Sequence, residues 1–156
     1  MTSTLVLGMG NPILSDDSVG LVVAERLQAT PMPDEVEVLQ SEVGGLRLLE
    51  LVRGFTRVII IDALVSPAES GRRPGDIVRY EAKDFKGGHR YGSAHSIGLH
   101  TVLELGATLG YDMPAAVTVL AVEAVDVETF GEELSLPVAA AADRLVAELR
   151  EELGAA

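Results

Sequence analysis

Three side chains in this sequence have the chemistry of a metal site and lie beside predicted strands or helices. Asp17 follows the first apolar run through a glycine-containing turn, Asp62 follows four aliphatic residues, and His95 lies shortly after Ser93. Two carboxylates and one imidazole, with further coordination positions open, suit a divalent transition metal such as zinc or nickel, and the residue types alone do not choose between them. The chain has no Cys, which excludes thiolate ligands, Cys nucleophiles and disulfides.

The carboxylates also have structural interpretations. Ser15 is a candidate N-cap for a helix, and Asp16 and Asp17, in or beside its first turn, would stabilise that helix through its dipole by about 0.3–1 kcal/mol each. We prefer this role for Asp16, whereas Asp17 could serve both purposes. Asp62 could cap the turn that follows its strand.

The three histidines differ in their predicted surroundings. His89 lies in a glycine-rich loop, where a solvated side chain is expected. His95 follows Ser93, a candidate N-cap, so we predict it in the first turn of a helix with its ring towards a crevice. His100 is five residues further on, about 140° around that helix, and cannot share a face with His95. His95 is therefore the candidate ligand.

Strand and helix patterns alternate along the chain and determine where these side chains meet. Short apolar runs predict strands at 4–7, 36–39, 58–61, 76–80 and 117–122. Apolar residues at helical spacing lie between and after these strands. The alternation indicates an α/β fold: a three-layer α/β/α sandwich with a mostly parallel twisted sheet, phosphorylase/hydrolase-like, with residues 1–156 as one domain.

The position of a ligand site in such a sheet is predictable. Ligands bind beyond the carboxyl ends of the strands, where the strand order reverses. If that order is second, first, third, the loops after Leu7 and Ile61 are neighbours, and Asp17 and Asp62 meet across one crevice. The long polar stretch at 66–92 is of a length that is usually functional or mobile in a compact domain.

Composition excludes several classes of protein. The net charge of −12 repels phosphate backbones and anionic lipid, so we expect neither nucleic-acid nor membrane partners. The chain is 47% hydrophobic, which is too apolar for a disordered protein, yet its apolar runs are far shorter than a membrane span. The opening residues have no basic n-region, so we expect a cytoplasmic protein.

The turn Gly8-Met-Gly-Asn-Pro12 is not a dinucleotide-binding fingerprint. The third glycine of that motif is replaced by Ile13, and Pro12 removes a backbone donor from the loop. No Gly-x-Ser-x-Gly elbow is present to support serine-hydrolase chemistry.

The segment Leu5–Gly20 resembles the opening of the hydrogenase maturation endopeptidases, which remove a C-terminal peptide from the large subunit of nickel–iron hydrogenase. The resemblance continues at Val58–Ala63, Ser93–His95, Val122–Ala124 and Leu134–Ser135, and so spans nearly the whole chain.

The resemblance implies a function and a site. Asp17, Asp62 and His95 fall on the family's metal-contacting positions. The expected partner is a hydrogenase large-subunit precursor, and the expected metal is nickel already placed in that precursor, with zinc or cadmium as possible substitutes. The sequence departs from the family at Gln40–Val43, where an Asp-Gly-Gly-Thr stretch is common, which leaves Glu42 as a carboxylate of unassigned purpose. Position 17 is Asp, although some members carry Glu.

Two alternatives remain open at this point. Peptidyl-tRNA hydrolases also open with a strand followed by Gly-x-Gly-Asn-Pro. However, they need a catalytic His soon afterwards and a basic surface, whereas the first His here is His89 and the charge is −12. The other alternative is a module that binds metal or a partner without cleaving anything.

Overall fold

The computed structural model describes residues 3–85 and 98–155. The strands are β1 (Thr4–Met9), β2 (Val36–Ser41), β3 (Arg57–Leu64), β4 (Ile77–Glu81) and β5 (Ala116–Glu123). The α-helices are α1 (Val19–Gln28), α2 (Arg47–Val52), α3 (Leu99–Thr108) and α4 (Leu136–Glu152). Within the two described ranges, every helix falls short of the length or the apolar character that a membrane crossing requires.

The five strands form one sheet in the order β2-β1-β3-β5-β4. All neighbouring pairs are parallel except β4 and β5, which are antiparallel. The prediction of an α/β fold with a mostly parallel sheet is confirmed. The order second, first, third is also present, so the strand order reverses between β1 and β3.

Helices cover both faces of the sheet because side chains alternate along each central strand. On one face, Val6 and Ile61 are fully buried beneath α1 and α4. On the other face, Leu7 and Ile60 are fully buried beneath α2 and α3. The result is the predicted three-layer arrangement.

The central strands are longer than their apolar runs. β1 continues through Gly8 to Met9, and β3 continues through Asp62 to Leu64. The last residue pair shared by β1 and β3 is Gly8 with Ile61, whereas β3 keeps pairing with β5 as far as Leu64. Asp62 therefore lies inside β3, not after it as predicted, and is the first residue of β3 beyond its pairing with β1.

Two predicted helix starts are wrong. Ser15 is not the N-cap of α1: its φ is +46°, and the residues at 15–18 form a 3₁₀ turn before α1 begins at Val19. α3 begins at Leu99 and not near Ser93, because Gly98 has an extended backbone with ψ of 151°. Leu99, the first residue of α3, is only 1% exposed. Ser93, His89 and His95 lie outside the described residues.

Candidate functional site

The 3₁₀ turn at 15–18 holds Asp17 against the carboxyl ends of the central strands. The turn contacts β3, and Asp17 is 1% exposed. One carboxylate oxygen, Oδ2, accepts a hydrogen bond from the backbone N–H of Asn11 at 3.0 Å. The backbone N–H of Asp17 donates to the carbonyl of Leu14 at 2.9 Å. Asp17 is thus fixed at both its side chain and its backbone.

Two glycines allow this close approach. A Cβ added to Gly10 would lie 2.2 Å from the carbonyl oxygen of Asp17. A Cβ added to Gly20 would lie 2.2 Å from the carbonyl oxygen of Ile61 and 2.3 Å from that of Met9. Neither distance is possible for a real side chain, so only glycine lets the start of α1 lie directly on β1 and β3. The glycines of the opening segment therefore position the acidic turn rather than a phosphate.

Asp62 lies on the face of β3 that α2 and α3 cover, since it alternates in step with Ile60 and Leu64. It is 1% exposed, and its Oδ1 accepts the backbone N–H of Ala63 at 2.9 Å. This contact is made within the strand, so Asp62 does not cap a following turn.

The two buried carboxylates lie at the point where the strand order reverses. Burying an ionised carboxylate is costly unless it is hydrogen-bonded, paired or bound to a cation. Their oxygens are donors that zinc and nickel accept. Across residues 3–85 and 98–155, no group of three or more His, Cys, Asp or Glu side chains is placed to hold a metal ion. The third predicted ligand, His95, lies outside those ranges.

Asp16 has a different role from its neighbour. Its Oδ1 accepts the backbone N–H of Ser135 at 2.7 Å. Its Oδ2 accepts the hydroxyl of Ser135 at 2.9 Å and the N–H groups of Val125 and Asp126 at 2.9 and 3.3 Å. Asp16 therefore holds the connection between β5 and α4. We predicted that Asp16 would stabilise a helix through its dipole. Its contacts show instead that it crosslinks the opening segment to the connection between β5 and α4.

Glu123 is a buried carboxylate that our sequence interpretation did not single out. It ends β5 on the same sheet face as Asp62, pairs with Leu64, and is 5% exposed. Its Oε2 accepts the backbone N–H of Ser66 at 2.9 Å, whereas its Oε1 accepts no hydrogen bond from any described residue. The sequence signals were its position at the end of a predicted strand and its place within Val122–Ala124, one of the segments that carry the family resemblance.

His100 lies away from both aspartates. Its side chain is 53% exposed, and its Nε2 lies 3.2 Å from Oε1 of Glu104. It borders a groove formed with residues 116–118, at the amino end of β5, whereas Asp17 and Asp62 lie at the carboxyl ends. Of the three histidines, this is the one that the structure describes.

Glu42 lies beside the opening turn, although it was left without a role in the sequence. It lines a groove of about 330 Å³ together with Pro12 and Ser18, the residue that follows Asp17. The same groove includes Ser41, whose carbonyl accepts the N–H of Gly10 at 3.2 Å. The segment that departs from the family pattern thus borders the candidate site.

The structure is an α/β protein with a mostly parallel sheet and two buried aspartates where the strand order reverses. Comparisons with known proteins identify its family. The model of the hydrogenase maturation protease family, HycI, matches residues 21–152. The chain belongs to the hydrogenase maturation protease family.

Individual relatives agree with this assignment. The hydrogenase expression/formation protein HupD of Rhodobacter capsulatus is 31% identical over 155 residues, covering 97% of this chain and 71% of that protein. HupD of Thiocapsa roseopersicina is 32% identical over 134 residues, covering 83% of this chain but only 58% of its own length. The hydrogenase maturating endopeptidase HybD of Escherichia coli has a similar structure, with a TM-score of 0.75, 29% identity, and coverage of 97% of this chain and 94% of that one. The family assignment disfavours the peptidyl-tRNA hydrolase alternative.

Proposed function

We propose that this protein cleaves the C-terminal peptide from a nickel–iron hydrogenase large-subunit precursor after nickel has been inserted, in the cytoplasm. Membership of a protease family supports the reaction class. The observation that carries the proposal is the burial of Asp17 and Asp62, each 1% exposed, at the reversal between β1 and β3.

The proposed role of the acidic pair is to recognise the precursor's nickel. Asp17 and Asp62 supply anionic oxygens, and His95 supplies a neutral nitrogen, a donor set that nickel accepts and that zinc or cadmium would also satisfy. In this proposal the nickel belongs to the substrate, and it reports that insertion is complete. Binding of a metal ion would offset the free-energy cost of burying two carboxylates.

Cleavage itself adds water across a peptide bond. The water oxygen bonds to the carbonyl carbon, the carbon–nitrogen bond breaks, and the released nitrogen takes a proton. A positioned carboxylate or imidazole can accept the proton of the attacking water and return it to the leaving nitrogen. We assign this proton transfer to the same three residues, Asp17, Asp62 and His95.

The proposal is tested with nickel-loaded and nickel-free forms of a precursor. We expect the wild-type protein to release the C-terminal peptide from the loaded form alone, as measured by mass spectrometry. The His95→Ala variant should slow this cleavage by about 100-fold or more, because it removes a ligand and a proton carrier.

Two further histidine variants are the controls. His89→Ala should process the precursor at the wild-type rate. His100→Ala should do the same, because its exposed ring lies at the opposite end of the sheet. Equal cleavage of both precursor forms would contradict the recognition of nickel. A folded but inactive His100→Ala variant would show that the wrong histidine has been assigned.

A further inference from the structure

Ser15, two residues before Asp17, has a backbone conformation that serine rarely adopts. Its φ is +46°, and among residues 3–85 and 98–155 it is the one residue other than glycine with a positive φ. In this left-handed region the Cβ comes close to the following carbonyl oxygen, so a residue with a side chain is strained there. Strained backbone persists only where surrounding contacts enforce it, and it is concentrated at functional sites.

The connection between β5 and α4 supplies the contacts that enforce this conformation. The N–H of Ser15 donates to the carbonyl of Gly131 at 2.9 Å. The hydroxyl of Ser15 donates to the carbonyl of Thr129 at 2.8 Å. The N–H of Gly131 in turn donates to the carbonyl of Ile13 at 2.8 Å. Both the backbone and the side chain of Ser15 are therefore fixed by a segment more than 110 residues away in the chain.

The conformation of Ser15 determines where Asp17 lies. The hydroxyl of Ser18 donates to the carbonyl of Ser15 at 2.8 Å. The N–H of Asp17 donates to the carbonyl of Leu14 at 2.9 Å, so this hydrogen bond closes a turn around Ser15. A different φ at Ser15 would open that turn. The carboxylate of Asp17 would then move away from the backbone N–H of Asn11, which it accepts at 3.0 Å.

We propose that Ser15 is a positioning residue, whose left-handed backbone places the carboxylate of Asp17 in the candidate site. The proposal deepens the proposed function, and its catalytic consequence rests on that function. Glycine adopts a positive φ without strain, whereas a β-branched residue with a positive φ is a marked outlier. Glycine should therefore replace Ser15 with little effect on Asp17, and valine should not.

The backbone amide of Asn11 reports the position of Asp17 without metal or precursor, because it donates to Oδ2 of Asp17. Its hydrogen exchange is measured by NMR on the full chain. Ser15→Gly and Ser15→Ala both lose the hydroxyl that bonds to Thr129 and differ only in the Cβ. Exchange should stay within about threefold of wild type in Ser15→Gly and become about tenfold faster in Ser15→Ala, because strain favours relaxation only in the second variant.

Ser15→Val extends the series, and its exchange at Asn11 should be faster than that of Ser15→Ala. The comparison of Ala with Gly decides the proposal if the valine variant does not fold. Ser70→Val is the matched control, because Ser70 also lies in a 3₁₀ turn but has no positive φ. It should leave the exchange of Asn11 unchanged.

Processing of nickel-loaded precursor measures the catalytic consequence at a temperature where each variant is folded. Ser15→Ala should lower kcat/KM by about tenfold, and Ser15→Gly should stay within about threefold of wild type, because small displacements of a reacting group slow a reaction strongly. A purely structural role would lower Tm and leave kcat/KM of the folded protein unchanged.

Equal exchange at Asn11 in Ser15→Gly and Ser15→Ala would overturn the proposal, because the strain would then have no effect on Asp17. Faster exchange in Ser15→Ala with wild-type kcat/KM would overturn it as well. A wild-type protein that does not process the precursor would contradict the proposed function, and the exchange of Asn11 would still decide whether Ser15 positions Asp17.

Discussion

Adjacent aspartates in the opening segment perform different tasks. Asp16 and Asp17 are equally buried, at 1% exposure each. Asp16 accepts four hydrogen bonds from the connection between β5 and α4. Asp17, like Asp62, lies where the strand order reverses between β1 and β3. The residue types predicted two acidic side chains near a helix start. Their division of labour depends on a loop more than 100 residues away in the chain, which no local pattern contains.

The division predicts a stability difference. Asp16→Ala removes the acceptor of three backbone N–H groups and one hydroxyl. A buried donor left without an acceptor costs about 1–3 kcal/mol. We expect a loss of about 3 kcal/mol and a decrease in Tm of about 5–10 °C, measured by thermal unfolding. Asp34→Ala, at an exposed position, is the control and should leave Tm nearly unchanged. A wild-type Tm for Asp16→Ala would contradict the crosslinking role.

Glu123 shows what residue-level interpretation cannot find. Its chemistry was visible in the sequence, but its burial and its position on the same face as Asp62 follow from the register of β5 on β3. That register is a long-range property. The position of Asp62 at the end of an aliphatic run, by contrast, could be read directly from the sequence.

At the scale of elements, apolar runs predicted which strands exist but not where they end. β1 and β3 continue beyond their aliphatic runs because Gly8 still pairs with Ile61 and because β5 keeps pairing with β3. The direction of β4 was not predictable either, since its side-chain pattern is compatible with parallel or antiparallel pairing. The start of α3 was misplaced because Ser93 is a plausible N-cap by type, whereas the helix begins at Leu99, after the extended backbone of Gly98.

One ion-pair network connects elements at the amino end of the sheet. Glu152 of α4 forms ion pairs with Arg57 of β3 and Arg79 of β4. Burial alone would raise the pKa of Glu152. The hydrogen bond from Arg57 and the charges of Arg57 and Arg79 outweigh burial and hold that pKa below its ordinary value of 4.5.

The lowered pKa predicts the pH range in which Glu152 stabilises the fold. A carboxylate with a depressed folded pKa contributes fully above its unfolded pKa and loses that contribution as pH falls through the folded value. Glu152→Gln should therefore lower stability at neutral pH by about 0.5–1 kcal/mol, and its Tm should approach that of wild type as pH falls well below 4.5. Glu151→Gln, exposed at the same helix end, is the control for thermal unfolding across pH. A difference that persists unchanged in acid would contradict the ion-pair origin.

At the scale of the whole molecule, the sheet order provides the functional argument. Alternating strands and helices predicted a mostly parallel α/β sheet, and the reversal between β1 and β3 then brings Asp17 and Asp62 to one edge. The close approach that makes this possible depends on Gly10 and Gly20, whose missing side chains let the acidic turn and α1 lie on the strands. The overall architecture was therefore predictable, whereas the groove that Glu42 lines beside the opening turn was not, because its residues come from four separate parts of the chain.

The most direct test of the site is the processing rate of nickel-loaded precursor by Asp62→Asn, measured together with its thermal unfolding. This variant keeps the shape of the side chain and removes its charge. We expect processing to slow by about 100-fold or more while Tm stays equal to or above that of wild type, because a buried carboxylate kept for function does not stabilise the fold. Asp34→Asn should match wild type in both measurements. Wild-type processing by a folded Asp62→Asn variant would contradict the assignment of Asp62 to the site.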